Sequence, residues 1–259
     1  MKKLLLFFSL LFIPVAILTC FLIVKVDPVT GFYSGGLFHL FLELIAISAA
    51  VFIGFSLADY AARHGVPYQE PVHGDLWKAL NITLAALVLA NVVLKFIYSK
   101  PTDSHMLTLW VISVVFEDIA LVCILLRVFA GTSDDPLQKV IRTIGPCLFF
   151  TAELLTRFFS SSVNKNNIPL MISFLSCGAL AVSSLRMMQT LSFEETSSQR
   201  QFITAAYVTL IICLGIRLPS AIFYSIKGTL FDIVCLALDC VAAVTVFYEA
   251  YLTVPASDR

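Results

Sequence analysis

Eight times in 259 residues the chain runs for about twenty residues with few charges: over 4–25, 37–58, 76–98, 106–130, 138–160, 168–190, 202–225 and 229–252. A helix rising ~1.5 Å per residue needs about that length to cross the ~30 Å hydrocarbon layer of a bilayer. Backbone groups in lipid must find partners within the protein, so continuous apolar runs of this length specify helices. The expected fold class is therefore all-α: a polytopic transmembrane helical bundle of about eight spans. Residues 1–259 then form a single integral membrane domain whose first partner is the lipid bilayer. The composition agrees, with 59% hydrophobic and 13% charged residues, where soluble domains carry about a quarter charged. The 17 basic and 17 acidic residues cancel and form no long basic run, so no nucleic-acid partner is expected.

Turn-forming residues separate the runs. Asp27-Pro28 and Gly35-Gly36 bracket the first connection, Lys100-Pro101 marks the third, Gly131 to Pro136 the fourth, and Lys227-Gly228 makes a tight seventh. Asp135 before Pro136 is an N-cap and first-turn pair for the fifth helix. The longest connection, Tyr60 to Asp75, is too short to fold alone. Lys2-Lys3 before an apolar run imitates a secretory signal, but 4–24 exceeds the ~7–15 residues of a signal core and no small-x-small cleavage site follows. An uncleaved first span is expected.

Lys and Arg number ten on the side of the termini and seven on the other: Lys25, Lys95, Lys100, Arg157, Lys165, Arg217 and Lys227. The bias places both termini in the cytoplasm. Trp77, Tyr98, Trp110, Tyr224, Tyr248 and Tyr251 fall near span ends, where interfacial aromatics sit.

The charges inside the spans are the functional candidates, because an acid at a helix centre costs on the order of 2.5–3.5 kcal/mol and must face a protein interior or a watery cavity. Phe116-Glu117-Asp118 interrupts the fourth span near its middle. Glu43 lies in the second span, Glu153 and Arg157 in the fifth, Arg217 in the seventh, and Asp232 and Asp239 in the eighth. All fall in the half of the bundle away from the termini. Glu153 and Arg157 are four apart with the acid first, the favourable order for an intrahelical pair. Arg157 and Lys95 have stems long enough to snorkel, and Arg217 can reach headgroups or pair with Asp232. Arg127 and Glu249 sit near the opposite surface and are expected to snorkel there. Six acids against two arginines leave a charge of −4. The expectation is an acidic vestibule opening away from the termini, walled by Glu43, Glu117, Asp118, Glu153, Asp232 and Asp239, with Arg157 and Arg217 as charge partners; the alternative is a polar core of protonated carboxyls and hydrogen bonds that only locks helix packing. A cation, a proton or an amine-bearing ligand suits that sign. A small transporter or permease-like protein is the first functional expectation; a non-catalytic sensor or partner-binding subunit, with a membrane-protein partner, is the second.

Other chemistry has less support. Glu153-x-x-x-Arg157 is similar to one motif of the intramembrane CAAX-type proteases, but Ala152 stands where that motif has a second Glu, and the intramembrane histidines are lacking. The four His are His39, His64, His73 and His105, none paired at helical spacing. The seven Cys, at 20, 123, 147, 177, 213, 235 and 240, all lie in apolar runs without a C-x-x-C pair and read as packing residues. No catalytic residue, cofactor or metal is assigned. Span six carries a small-residue surface of Ser173, Ser176, Cys177, Gly178, Ala181, Ser183 and Ser184 for close helix packing. Pro146, Pro169 and Pro219 are expected to kink their helices, and Gly215 beside Arg217-Leu218-Pro219 marks a break in span seven.

Val26-Asp-Pro-Val-Thr-Gly-Phe-Tyr33 resembles the Asp-Pro-x-Thr-Gly-Phe/Leu stretch after the first helix in a set of uncharacterised multi-span membrane proteins of Gram-positive bacteria. The resemblance covers eight residues and the general layout. It implies a bacterial plasma membrane and brings no activity, ligand or partner.

Overall fold

The computed structural model describes residues 1–26, 37–64, 66, 68–98, 104–130, 135–160, 168–193, 196–225 and 229–255. Among them every regular element is a helix: α1 (Lys2–Ser9), α2 (Phe12–Ile23), α3 (Leu37–Arg63), α4 (Asp75–Tyr98), α5 (Ser104–Phe129), α6 (Pro136–Thr143), α7 (Gly145–Ser160), α8 (Ile168–Phe193), α9 (Thr196–Leu210), a π-helical segment (Ile211–Arg217), α10 (Leu218–Ser225) and α11 (Leu230–Leu252). The chain is a multi-pass helical membrane protein, with seven runs among the described residues long and apolar enough to cross a bilayer. The turns expected at Asp27-Pro28, Gly35-Gly36, Lys100-Pro101, Gly131 to Asp134 and Lys227-Gly228 lie outside the described residues, as does nearly all of the stretch Val26–Tyr33.

The fifth run, 138–160, is divided and is not among the seven. Pro146 has no N–H to give the Arg142 carbonyl, and its ring crowds that turn, so α6 ends at Thr143 and α7 starts at Gly145. At 16 residues α7 is about 24 Å long, short of the bilayer core on its own. Asp135 caps α6 as the Asp-Pro pair predicts, its Oδ1 accepting from the Leu137 amide at 3.1 Å. Gly145 lets α7 start against α5: a Cβ there would stand 2.8 Å from the Ala120 carbonyl and 3.0 Å from the Cys123 Cβ.

A second proline, Pro14, breaks the first span into α1 and α2. The turn tightens to three-residue hydrogen bonds, Leu10 to Phe7 at 3.3 Å and Leu11 to Phe8 at 3.0 Å. The Tyr207 hydroxyl donates to the Phe8 carbonyl at 3.2 Å, a second donor beside the Leu11 amide. Pro169 causes no break, because it lies in the first turn of α8 where its missing N–H is an orphan anyway.

The span from Ser198 to Phe223 is the centre of the bundle: 72% of its most apolar stretch is buried, against 22–44% in the other six. It packs on α3, α8 and α11, and α2 lies along its π-helical segment. The close approach of α2 needs Gly215, whose added Cβ would meet Val15 Cγ1 at 2.9 Å. Pro219 denies the Gly215 carbonyl its ordinary helical donor, and the ladder widens to π winding rather than opening into a break.

Three layers of core stack along the bundle, beside a smaller fourth cluster of Val92, Trp110 and Val114 between α4 and α5. Leu5, Leu57, Met187, Phe202, Phe247 and Val254 gather the ends of α1, α3 and α11 with the α8–α9 corner, so Met1 and Val254 lie at one face. Leu84, Val88, Ile124, Phe149, Leu180 and Ala242 form the middle. Leu22, Val26, Ile172 and Ile216 close part of the far end. Cys123, Cys177, Cys213 and Cys235 are buried, and all seven thiols are free. On α8, Ser176, Cys177, Ser183 and Ser184 are fully buried, a packing face of small residues as expected.

Candidate functional site

Between the middle and far layers, six ionisable side chains stand in a row in which acid and base alternate: Glu117, Lys95, Glu153, Arg157, Asp239 and Arg217. They come from α5, α4, α7, α11 and the π-helical segment, so five separate elements meet at one polar layer.

Lys95 is the hinge of the row. It is 2% exposed, and its ammonium contacts the Glu117 carboxylate, lies 2.5 Å from Glu153 Oε1 and donates to Ser113 Oγ at 3.1 Å. Ser113, one turn before Glu117, donates to that carboxylate at 2.6 Å. Glu153 also accepts from Asn91 Nδ2 at 3.1 Å, and the Cys235 thiol donates to the Asn91 carbonyl oxygen at 3.3 Å. Arg157 Nε reaches Glu153 Oε2 at 3.1 Å, so the expected four-residue pair forms. Arg157 Nη1 continues the row to Ser173 Oγ at 3.0 Å and Asp239 Oδ2 at 3.5 Å. Asp239 Oδ2 also accepts from Ser176 at 3.4 Å and from Arg217 Nε at 3.4 Å. The π winding before Arg217 sets the angle at which it enters this layer.

This geometry corrects the expected charge balance. Lys95 does not snorkel; it turns inward, and Arg217 turns to Asp239 rather than to Asp232. With every group ionised the row carries three negative and three positive charges, hence zero net charge rather than −4. The carboxylates of Glu117, Glu153 and Asp239 are sealed from solvent. Ions this deep are tolerable only when each has a close opposite charge, and the alternation supplies one.

The other three expected wall residues lie elsewhere. Asp232 is exposed at the start of α11, in a reciprocal capping box with Thr229, which satisfies two helix-end donors. Asp118 is exposed, turned about 100° around α5 from Glu117 and out of the row. Glu43 is buried on α3 and lines a separate apolar cavity.

At the end that holds the termini there is a second ionic centre. Arg127 Nη2 lies 2.5 Å from Glu249 Oε1, and both are buried. The Trp77 indole N–H donates to the same oxygen, Arg127 lies over the Trp77 ring at 5.3 Å, and His73 stacks on Trp77 with its Nε2 3.8 Å from Glu249 Oε2. Arg127 and Glu249 therefore do not snorkel, and Trp77 is a core residue rather than an interfacial one.

No protein-family model, curated protein or solved structure matches the chain. The chemistry of the site therefore rests on its geometry alone. Two atoms single out what the row lacks. Glu117 Oε2 and Asp239 Oδ1 are buried and have no hydrogen-bond partner among the described residues. A buried carboxylate oxygen left unsatisfied costs about 1–3 kcal/mol or more, so each position favours a proton or a small donor. Both belong to acids of the row, one at its α5 end and one beside Arg217.

Proposed function

We propose that this protein is a small, permease-like membrane carrier whose buried charge row binds and passes protons. The observation that carries the reading is the pair of unsatisfied carboxylate oxygens, Glu117 Oε2 and Asp239 Oδ1, on a row that is otherwise charge-balanced. A resident metal cation needs several oxygen ligands and must shed its water to enter, whereas a proton, which adds the same unit of positive charge to the row, needs one carboxylate oxygen. A proton suits the layer, since it neutralises one acid and lets the adjacent base change partner. Ser113, Ser173 and Ser176 supply hydroxyls that both accept and donate along the way. The π-helical segment at Arg217 supports the same reading, because π winding is frequent at functional sites. The Lys/Arg bias supports termini in the cytoplasm, and the resemblance at Val26–Tyr33 supports a bacterial plasma membrane.

The test is a pair of measurements on purified protein: the thermal midpoint as a function of pH, and proton flux into proteoliposomes loaded with a pH-sensitive dye. The wild type should show a pH-dependent step in stability and a flux above that of empty vesicles. Asp239→Asn and Glu117→Gln should each lose both, and Asp232→Asn should keep both. Superimposable pH profiles and flux for wild type, Asp239→Asn and Glu117→Gln would overturn the proposal.

A second reading, a partner-binding subunit, is favoured by Asp118. It is exposed, twelfth in the apolar run Leu107–Phe129, and has no hydrogen bond or ion pair with any described residue. Its neighbours on the ridge, Val111, Val115, Val122 and Leu125, are exposed apolar residues. An acid at that depth on a lipid-facing ridge is stabilised by a basic or amide side chain from another transmembrane helix. Stoichiometric co-purification of a membrane protein, lost in Asp118→Leu, would support this reading; a stable lone monomer would count against it.

A further inference from the structure

α3 packs on α9 but diverges from α8, and the space between them is a cavity of about 770 Å³. This is inside the range of small-molecule sites, roughly 300–1,000 Å³. Its walls are almost wholly apolar, with Ile47 from α3, Leu175 and Val182 from α8, and Val208 from α9. Gly178 forms part of the floor: an added Cβ there would meet nothing within 4 Å. The cavity follows α8 from Met171 to Val182, about 16 Å at helical rise, so it is elongated along the helix. Its rim residues Leu44, Met171 and Val182 are exposed on the lipid-facing surface of the bundle, which makes the bilayer the route of entry.

One ionisable residue lines it. Glu43 is buried near the start of α3 and lines the cavity together with Met171 and Ile172 from near the start of α8. The other polar liner, Thr209, already donates to the Ala179 carbonyl at 3.0 Å. A carboxylate offers about four lone-pair sites, so Glu43 can accept an ammonium in addition to the contacts it already makes. A ligand with a carboxylate or phosphate head would be repelled there, and a neutral head would forgo a charge-assisted bond. The charge row lies across α8, where Ser173 and Ser176 face it while Gly178 and Leu175 face the cavity. The two sites are therefore distinct.

We propose that this cavity binds a single-chain amphiphile with an amine head, drawn from the bilayer, its ammonium at Glu43 and its chain running past Gly178 toward Val182. The full chain in phosphatidylcholine nanodiscs tests this, using dodecylamine, dodecanol and dodecanoate as probes of equal chain length. Dodecylamine should raise the thermal midpoint of the wild type, and the other two should not. Glu43→Gln should weaken the dodecylamine response by about tenfold in concentration, the loss of one charge-assisted contact. Gly178→Phe, which fills the cavity, should abolish it. In Gly178→Cys, which keeps the cavity open, dodecylamine should slow labelling by a membrane-permeant maleimide. Equal responses to all three probes, or a dodecylamine response unchanged in Glu43→Gln and Gly178→Phe with Gly178→Cys labelling unaffected by dodecylamine, would overturn the proposal and leave the cavity a slot for ordinary lipid tails.

Discussion

Replacing Lys95 by Met keeps the unbranched stem and removes one charge from the middle of the row. The consequences for its two acids differ. Glu153 retains Arg157 at 3.1 Å and Asn91 at 3.1 Å, so it remains paired. Glu117 retains only Ser113 at 2.6 Å, with its second oxygen already unsatisfied. The substitution therefore strands one buried carboxylate, and breaking a buried pair by removing one partner costs about 3–5 kcal/mol. The converse change, Glu117→Gln, leaves Lys95 with Glu153 2.5 Å away, so only a charge-assisted hydrogen bond is lost, about 1.5–3 kcal/mol. Once Glu117 is neutral, Lys95 has one fewer acid to hold, and the double substitution should be more stable than Lys95→Met alone. Reversible unfolding of the four proteins in mixed micelles gives the cycle directly. If Lys95→Met lost less than about 1 kcal/mol, as a surface lysine would, or if the two losses simply added, the inward-turned Lys95 would be refuted.

Five further substitutions have outcomes set by the packing and the helix caps. Glu249→Gln strands Arg127 in the core and should cost about 3–5 kcal/mol with a shift in Trp77 fluorescence, while Asp232→Asn at the exposed cap should cost about 0.5–1 kcal/mol; denaturation followed by tryptophan emission checks both. Gly145→Ala drives a methyl into the Ala120 carbonyl and should destabilise by about 1–3 kcal/mol. Gly74→Ala, with nothing within 4 Å, is the control and should change stability little. Tyr207→Phe removes the hydroxyl that serves the Phe8 carbonyl and should cost about 1 kcal/mol, measured as a drop in thermal midpoint.

The bundle was legible in the sequence because hydropathy and bilayer thickness together set helix length, and the Glu153–Arg157 pair because it is set within one helix. The cross-helix pairs were not, since they depend on which faces meet. One signal was nevertheless present for the cations. Lys95, Arg127 and Arg157 all lie toward the C-terminal ends of their helices, and a helical side chain leans toward the N-terminus. That lean aims each of them back into the bundle rather than out to the headgroups, which is why Lys95 finds the polar layer and Arg127 finds Glu249. The division of the fifth span is marked by Pro146, whereas Pro14 sits in an otherwise continuous apolar run with no second turn signal beside it. Glu117 and Asp118 were adjacent in sequence and equal in depth, and only the packing of α5 on α4 and α7 decides that Glu117 turns inward.

The alternation of charge along the row has an electrical consequence. A single charge carried across the whole membrane exchanges about 2.3 kcal/mol with every 100 mV of potential. Three acids and three bases held together as a unit sum to zero, so rocking or sliding that unit through the field does little electrical work. A conformational cycle built around it would proceed at nearly the same rate in an energised and a de-energised membrane. Only a species that enters or leaves the row alone would feel the voltage, which makes the dependence of flux on membrane potential a count of what moves.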